Sequence, residues 1–487
     1  MRPSLQVLPT DIIPQVIDEA LQLLLSPGIK VGSLEAIDLL HSSGAIVDQI
    51  DGVVQLPEEA VLNALKSVPR EFSLFNSLGE PVVQYAGDQV HFNPGSSGIH
   101  MLDSETMEHR PSQTSDLIQI VQIADVLSEY DAQSTAVICH DVPEEIGDLY
   151  RLYLVLLYSE KPIVTGAFSI ETSQVMFDLL NISAGNPQEA VDKPRAIFDV
   201  CPSPPLNWTK FASQNLVDLA RANIPAQIVS MPLTGAAAPI TLIGSIVQHA
   251  AECLSGITIH QLANPGAPLV WGGAPAQFDM RHGTTSVGAI ETTLIINGYA
   301  QVGKSLGLPT HAYLSATDSK VIDTQAGMES GTSAILGTLS GINMISGAGM
   351  LDFLASQSLE KLVIDAEAIA IARRYTQGIQ IRNSSLSLEH FEDFKFPGNF
   401  LKNKLTRQMF RKEQYMPSAV IDRGSLRAWR EKGRNSTFDR AKMRVKEILS
   451  TYQRPEIPVD KERELNQLVS DVARKAGMNQ LPERFRE

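Results

Sequence analysis

Short apolar runs that end in small, polar-tipped loops recur through the middle of this chain. The runs 226–231, 268–271, 309–314 and 342–345 lead into loops at 232–241, 272–283, 315–329 and 346–349. Runs of this length, bounded by Gly and Pro, read as buried strands. Three more are predicted upstream, at 134–139, 162–165 and 196–201, and a first at 91–92 or 99–102. The stretches 115–129, 145–158, 172–184, 210–222, 242–259, 287–306, 328–339 and 359–378 carry helical apolar periodicity. Eight strand–helix units predict an α/β fold, a closed (β/α)8 barrel. The rival, an open doubly wound sheet, carries Gly-x-Gly-x-x-Gly at a first strand–helix turn, and that fingerprint is missing.

The flanks read differently. Residues 1–90 predict a helical entry region followed by short strands. Ile12, Ile13, Val16, Ile17, Ala20, Leu21 and Leu24 recur at helical spacing, and Ser33 fits the N-cap of a helix over 34–41. Pro57, Glu58 and Glu59 open another. The barrel is expected over 91–380. From 381 to 487 a C-terminal extension is expected to pack on it: a polar, aromatic stretch with Phe391, Phe394, Phe396 and Phe400, then helices at 439–449 and 461–476.

With 43% hydrophobic and 20% charged residues, the composition is that of a globular protein with a sizeable core. A net charge of −15 argues against a nucleic-acid partner, which needs clustered Lys and Arg. Three scattered cysteines, Cys139, Cys201 and Cys253, argue against a disulfide framework and fit a reducing compartment. No signal peptide or membrane span is read, so a cytoplasmic protein is expected.

Residues just after each strand share one rim in such a barrel. That collects Phe168, Trp208, Asp279, Arg281, His282, Asp318, Lys320, Gln325 and Glu329. No Gly-x-Ser-x-Gly elbow, His-x-x-x-His pair or phosphate-binding loop is found. Asp279 and Arg281 equally fit a loop ion pair, and Asp318 to Lys320 equally fits a helix start. Gly235, Gly272, Gly273, Gly347 and Gly349 are expected to let backbone approach a ligand.

At these loops the sequence resembles the corrinoid-dependent trimethylamine methyltransferase superfamily. The resemblance rests on residues 231–244, 264–268, 279–283 and 318–329. It continues through Phe400-Leu401 with Thr406, Asp422-Arg423 and Asp439–Ala441, so it spans essentially the whole chain. Archetypes of that family carry pyrrolysine. Only the twenty standard residues occur here, so the chain resembles the non-pyrrolysine branch, whose members demethylate quaternary amines. One departure is Asn399, where the family often has His before Phe-Leu.

The resemblance implies methyl transfer from a quaternary amine, glycine betaine first, to Co(I) of a cobalamin-type corrinoid on a partner protein, releasing dimethylglycine. It implies no permanently bound cofactor, no metal site and a homo-oligomer. Carnitine, proline betaine and γ-butyrobetaine stay open as substrates, as do a lyase or aldolase acting through Lys320 and a betaine-binding barrel without turnover. A betaine carboxylate would be held by Arg281 and Lys320 with help from His282. Its trimethylammonium would meet Phe168, Trp208, Trp271, Tyr313 and the carboxylates Asp279 and Asp318, which are expected to be catalytic. Gln325 and Glu329 complete the expected substrate pocket.

Overall fold

The computed structural model describes residues 2–382, 385–392 and 394–482. Eight parallel strands form its centre: β1 (His91–Pro94), β2 (Gln133–Ser134), β3 (Ile163–Thr165), β4 (Ala196–Val200), β5 (Ala226–Ser230), β6 (Leu269–Gly273), β7 (Thr310–Tyr313) and β8 (Met344–Ala348). Their order around the sheet is β1-β8-β7-β6-β5-β4-β3-β2. The sheet is a nearly closed (β/α)8 barrel, as the alternation predicts.

Closure occurs along an irregular seam. The Asp131 N–H donates to Phe92 O (2.9 Å), and beyond β1 the Gly98 N–H donates to Ala136 O (2.9 Å) while Ile138 N–H donates to Gly98 O (2.8 Å). Most of the strand expected over 134–139 is therefore extended chain in this seam, with a bridge at Val137. The first barrel strand is the one at 91, because Phe92 belongs to the buried wall. His100–Leu102 instead pairs with His109–Pro111 and Ser356–Gln357 as a small separate sheet.

The hairpin of Phe72–Phe75 and Pro81–Tyr85 plugs the other end. Its Leu74, Val83 and Tyr85 pack against Ala132, Val164, Ile197, Val270 and Met344 from the strands. Among the described residues this leaves the strand C-termini as the open end of the barrel. A crevice lined by Asn76, Gln174, Asp178, Lys193 and Arg195 lies at the plugged end.

Leu242–Ala263 is apolar on nearly every side, long and apolar enough to cross a membrane, yet mostly buried within the fold. Its outer face is covered by helices Ile12–Leu25, Leu34–Ser42 and Glu58–Ser67. These N-terminal helices form because apolar residues recur on one face, and Ser33 Oγ accepts the Ala36 N–H (3.3 Å) as the sequence predicts. On the opposite flank, Thr437–Thr451 packs on Leu359–Thr376 and Thr114–Val126, and Val459–Lys475 on Gly147–Tyr158 and Ile170–Ala184.

Candidate active site

Polar side chains replace the apolar lining above the plug. Asp199 lies level with Gln227 across β4 and β5. Its carboxylate accepts from the Gln227 amide and from the Tyr313 hydroxyl (3.0 Å). From below, Tyr85 O–H donates to Gln227 Oε1 (3.4 Å). Protein surrounds Asp199, yet part of its surface and of Tyr313 stays accessible, so both line an internal space. Burial pushes the Asp199 carboxyl up to about 7, against the two hydrogen bonds that pull it down, and among the described residues no cationic side chain offsets its charge.

A second buried charge stands at the rim. Arg151, fully buried one turn into Gly147–Tyr158, donates through Nη1 to Thr135 O (2.9 Å) and Ser97 Oγ (3.1 Å). The Phe168 ring covers its guanidinium at 4.7 Å. Among the described residues Arg151 makes no ion pair; Asp148 accepts instead from Phe168 N–H (2.6 Å) and Thr172 O–H (2.5 Å). Asp148 and Tyr313 both lie within electrostatic reach of Arg151, and Tyr313 also bonds Asp199, which connects the two charges. A buried cation whose neighbouring carboxylate, Asp148, is engaged by Phe168 and Thr172, and a buried carboxyl held only by neutral donors, suit a ligand that brings both signs.

The other expected residues fall into three groups. Asp279, Arg281 and His282 come together on a rim hairpin of Ala276–Asp279 and Thr284–Ser286. Arg281 Nη2 bonds Asp279 Oδ2 (2.6 Å) and is mostly exposed, and His282 Nδ1 lies 3.4 Å from the same oxygen. These hydrogen bonds hold Asp279 well below the usual carboxylate range. Its charge is answered by its neighbours rather than held free.

Asp318, Lys320, Gln325 and Glu329 form the second group, in the loop after β7. Asp318 Oδ1 accepts the N–H groups of Val287 and Gly288 (2.8 and 2.9 Å), and burial raises its pKa. Glu329 accepts from Asp318 N–H (2.8 Å), the Thr317 hydroxyl and Gln325 Nε2 (2.9 Å). Lys320 Nζ donates to Asp318 O (2.8 Å) and stands 3.7 Å from the Phe353 ring. Phe353 sits between Asp352 and Leu354, all three at positive φ, a run of strained backbone that the sequence does not announce. Lys320 is half exposed beside Asp352, not enclosed by the hydrophobic walls that surround a Schiff-base lysine.

Trp208 and Trp271 require a correction as cation-binding rings. Both are sealed between the wall and its helices: Trp208 Nε1 bonds Ser255 Oγ (2.9 Å), and Trp271 Nε1 bonds Tyr299 O (3.0 Å). The loop glycines serve the protein's own packing. A Cβ at Gly272, Gly273, Gly347 or Gly349 would sit within 2.3–2.7 Å of Ile228 O, His249 Nε2, Leu314 O or Gln357 Oε1, and Gly235 takes a positive φ in its turn. Among the described residues no group of three His, Cys, Asp or Glu side chains is placed to hold a metal ion.

Sequence reasoning missed Asp199, Gln227 and Arg151. The signal was a strongly polar residue inside a mostly apolar run: Asp199 within AIFDV, Gln227 within AQIVS, Arg151 within GDLYRLYLVLLY.

The family model for trimethylamine methyltransferase (MTTB) matches residues 1–478. The chain belongs to the trimethylamine methyltransferase family. It is 30% identical to trimethylamine methyltransferase MttB of Methanosarcina thermophila, over 90% of this chain and 92% of that protein. Glycine betaine methyltransferase of Desulfitobacterium hafniense (strain Y51) is 27% identical over 98% of both. The fold matches that of the Methanosarcina barkeri monomethylamine methyltransferase, with a TM-score of 0.52 at 13% identity, covering 97% of this chain and 89% of that one. Trimethylamine methyltransferase family members are methyltransferases, and this barrel is read accordingly.

Proposed function

We propose that the protein takes a methyl group from a zwitterionic quaternary amine, glycine betaine first, and delivers it to a corrinoid carried by a partner protein in the cytoplasm. The observation that carries this reading is the pair of buried charges that make no ion pair among the described residues, Asp199 in the lumen and Arg151 at the rim. The permanent cation would sit by Asp199 and the Tyr313 and Phe168 rings, and the carboxylate by Arg151. Asp279 suits the cation less well, because Arg281 already answers its charge.

In this reaction the C–N bond breaks with its electron pair going to nitrogen. A neutral tertiary amine leaves, so the site needs no proton donor. A reduced corrinoid supplies the nucleophile; the chain's own residues bind and orient the amine and exclude water. With the plug closing one end, the corrinoid would reach the methyl carbon from the open mouth. The glycine betaine methyltransferase relative supports the substrate class.

The test is direct: purified protein, reduced cobalamin and glycine betaine should yield methylcobalamin and dimethylglycine. Failure with glycine betaine, carnitine, proline betaine and γ-butyrobetaine alike, or transfer from trimethylamine alone, would overturn the proposal.

A further inference from the structure

The stretch from 379 to 416 is unlike any other part of the surface. Ten of the thirty-two described large hydrophobic side chains that stand exposed lie in it, although it is under a tenth of the chain. Ile379 is 96% exposed, Phe396 93% and Leu401 80%. Its helix, Lys404–Glu413, buries no residue. Phe391, Phe394, Phe396 and Phe400 pack mainly on one another, with ring centroids 5.2–5.5 Å apart. A groove between Phe391, Phe400, Leu405, Met409 and Phe410 opens to solvent. An exposed apolar groove beside a phenylalanine cluster marks an interaction site.

Charge and position select the occupant. This arm carries seven Lys and Arg against four Asp and Glu, in a chain whose net charge is −15. The N-terminal layer, residues 11–66, carries nine acidic residues against two lysines. It also exposes Leu25, Leu34, Ile46 and Ile50. One surface is basic and apolar, the other acidic and apolar. They lie on different flanks of the barrel, the arm leaving the helix after β8 and the acidic layer covering the helix after β5. The match is therefore made between copies rather than within one. A corrinoid-bearing partner is a poorer occupant, because the arm departs beside Arg373 and Asp131, at the plugged end and away from the mouth.

We propose that the described residues of 379–416 form an assembly arm that docks on the acidic N-terminal layer of a second copy of this chain. A stable interface takes roughly 20–30 residues a side, which the arm supplies. Arg374 fixes its two ends, bonding Gly378 O (3.2 Å) and Glu413 O (2.9 Å), so the arm projects from a defined base.

Sedimentation velocity on the full chain across a dilution series tests this. The wild type should run as a dimer or larger. Phe396→Glu with Leu401→Glu should run as a monomer with unchanged circular dichroism and melting temperature. A second variant, Lys402→Glu with Lys404→Glu and Arg407→Glu, touches only exposed positions and should also weaken assembly. Carbodiimide cross-linking of the wild type should join arm lysines to Glu58, Glu59 or nearby carboxylates of another copy. A monomeric wild type, variants that assemble as the wild type does, cross-links to another face, or recruitment of the wild-type arm to phosphatidylserine vesicles would each overturn it. These readouts are independent of catalysis, so they stand or fall apart from the proposed reaction.

Discussion

Asp199 carries its charge at a cost, because the folded protein surrounds it and offers only two neutral donors. Its pKa in the fold, about 7, lies above the ordinary 3.8. The fold thus holds a proton that the unfolded chain gives up from about pH 4, and the associated stabilisation is lost as pH rises through about 7. Asp199→Asn should remove that loss, making the free protein more stable near pH 8 by on the order of 1–3 kcal/mol, read by urea denaturation. The same change should cut kcat/KM for a quaternary amine by about 100-fold or more. In the wild type KM should fall as pH rises through about 7, because only the ionised carboxyl attracts the cation. A pH-independent KM would remove Asp199 from substrate binding. Phe168→Ala should raise KM by roughly 2- to 30-fold, the worth of one cation–π contact.

Elements hold the site through a few buried linkages. Lys361, in Leu359–Thr376, bonds Asp365 one turn on and Ser330 Oγ (2.6 Å) on the adjacent helix, and Asp365 accepts the Gly349 N–H (2.7 Å) after β8. Asp365→Ala would leave an unpaired buried ammonium and should destabilise the protein by roughly 3–5 kcal/mol, measured by thermal or urea unfolding. The sequence marked each helix by its periodicity but not this linkage, since residues far apart in the chain meet only after folding. It also placed the start of Thr324–Leu339 too late, at 328; Asp323 caps that helix by accepting the Ala326 N–H (3.0 Å). An end cap lies outside the apolar repeat and leaves no mark in it.

On the scale of the whole molecule, the N-terminal layer is what makes Leu242–Ala263 a buried core helix. A chain lacking residues 1–68 would expose that helix and should be recovered aggregated or without cooperative unfolding; a soluble, cooperatively melting truncation would contradict this. Buried neutral histidines add a pH limit. His249, His260 and His311 are held down to about 3 by burial, so their contribution is present above about pH 6.5 and is lost as pH falls towards 3. Acid should therefore unfold the protein by forcing charge into the barrel wall.

The order of strands and helices, the barrel, the helical flanks and the family were legible in the sequence, because burial imposes a period on the apolar residues and loops need Gly and Pro. Which polar residues meet was not legible. Asp279 and Arg281 stand two apart in the chain and bind each other, whereas Asp199, Gln227 and Tyr313 come from three strands and meet only when the barrel closes. Periodicity says which face is buried. Only the tertiary structure decides which buried charges are left without a partner, because pairing depends on distances across the barrel that local sequence does not encode.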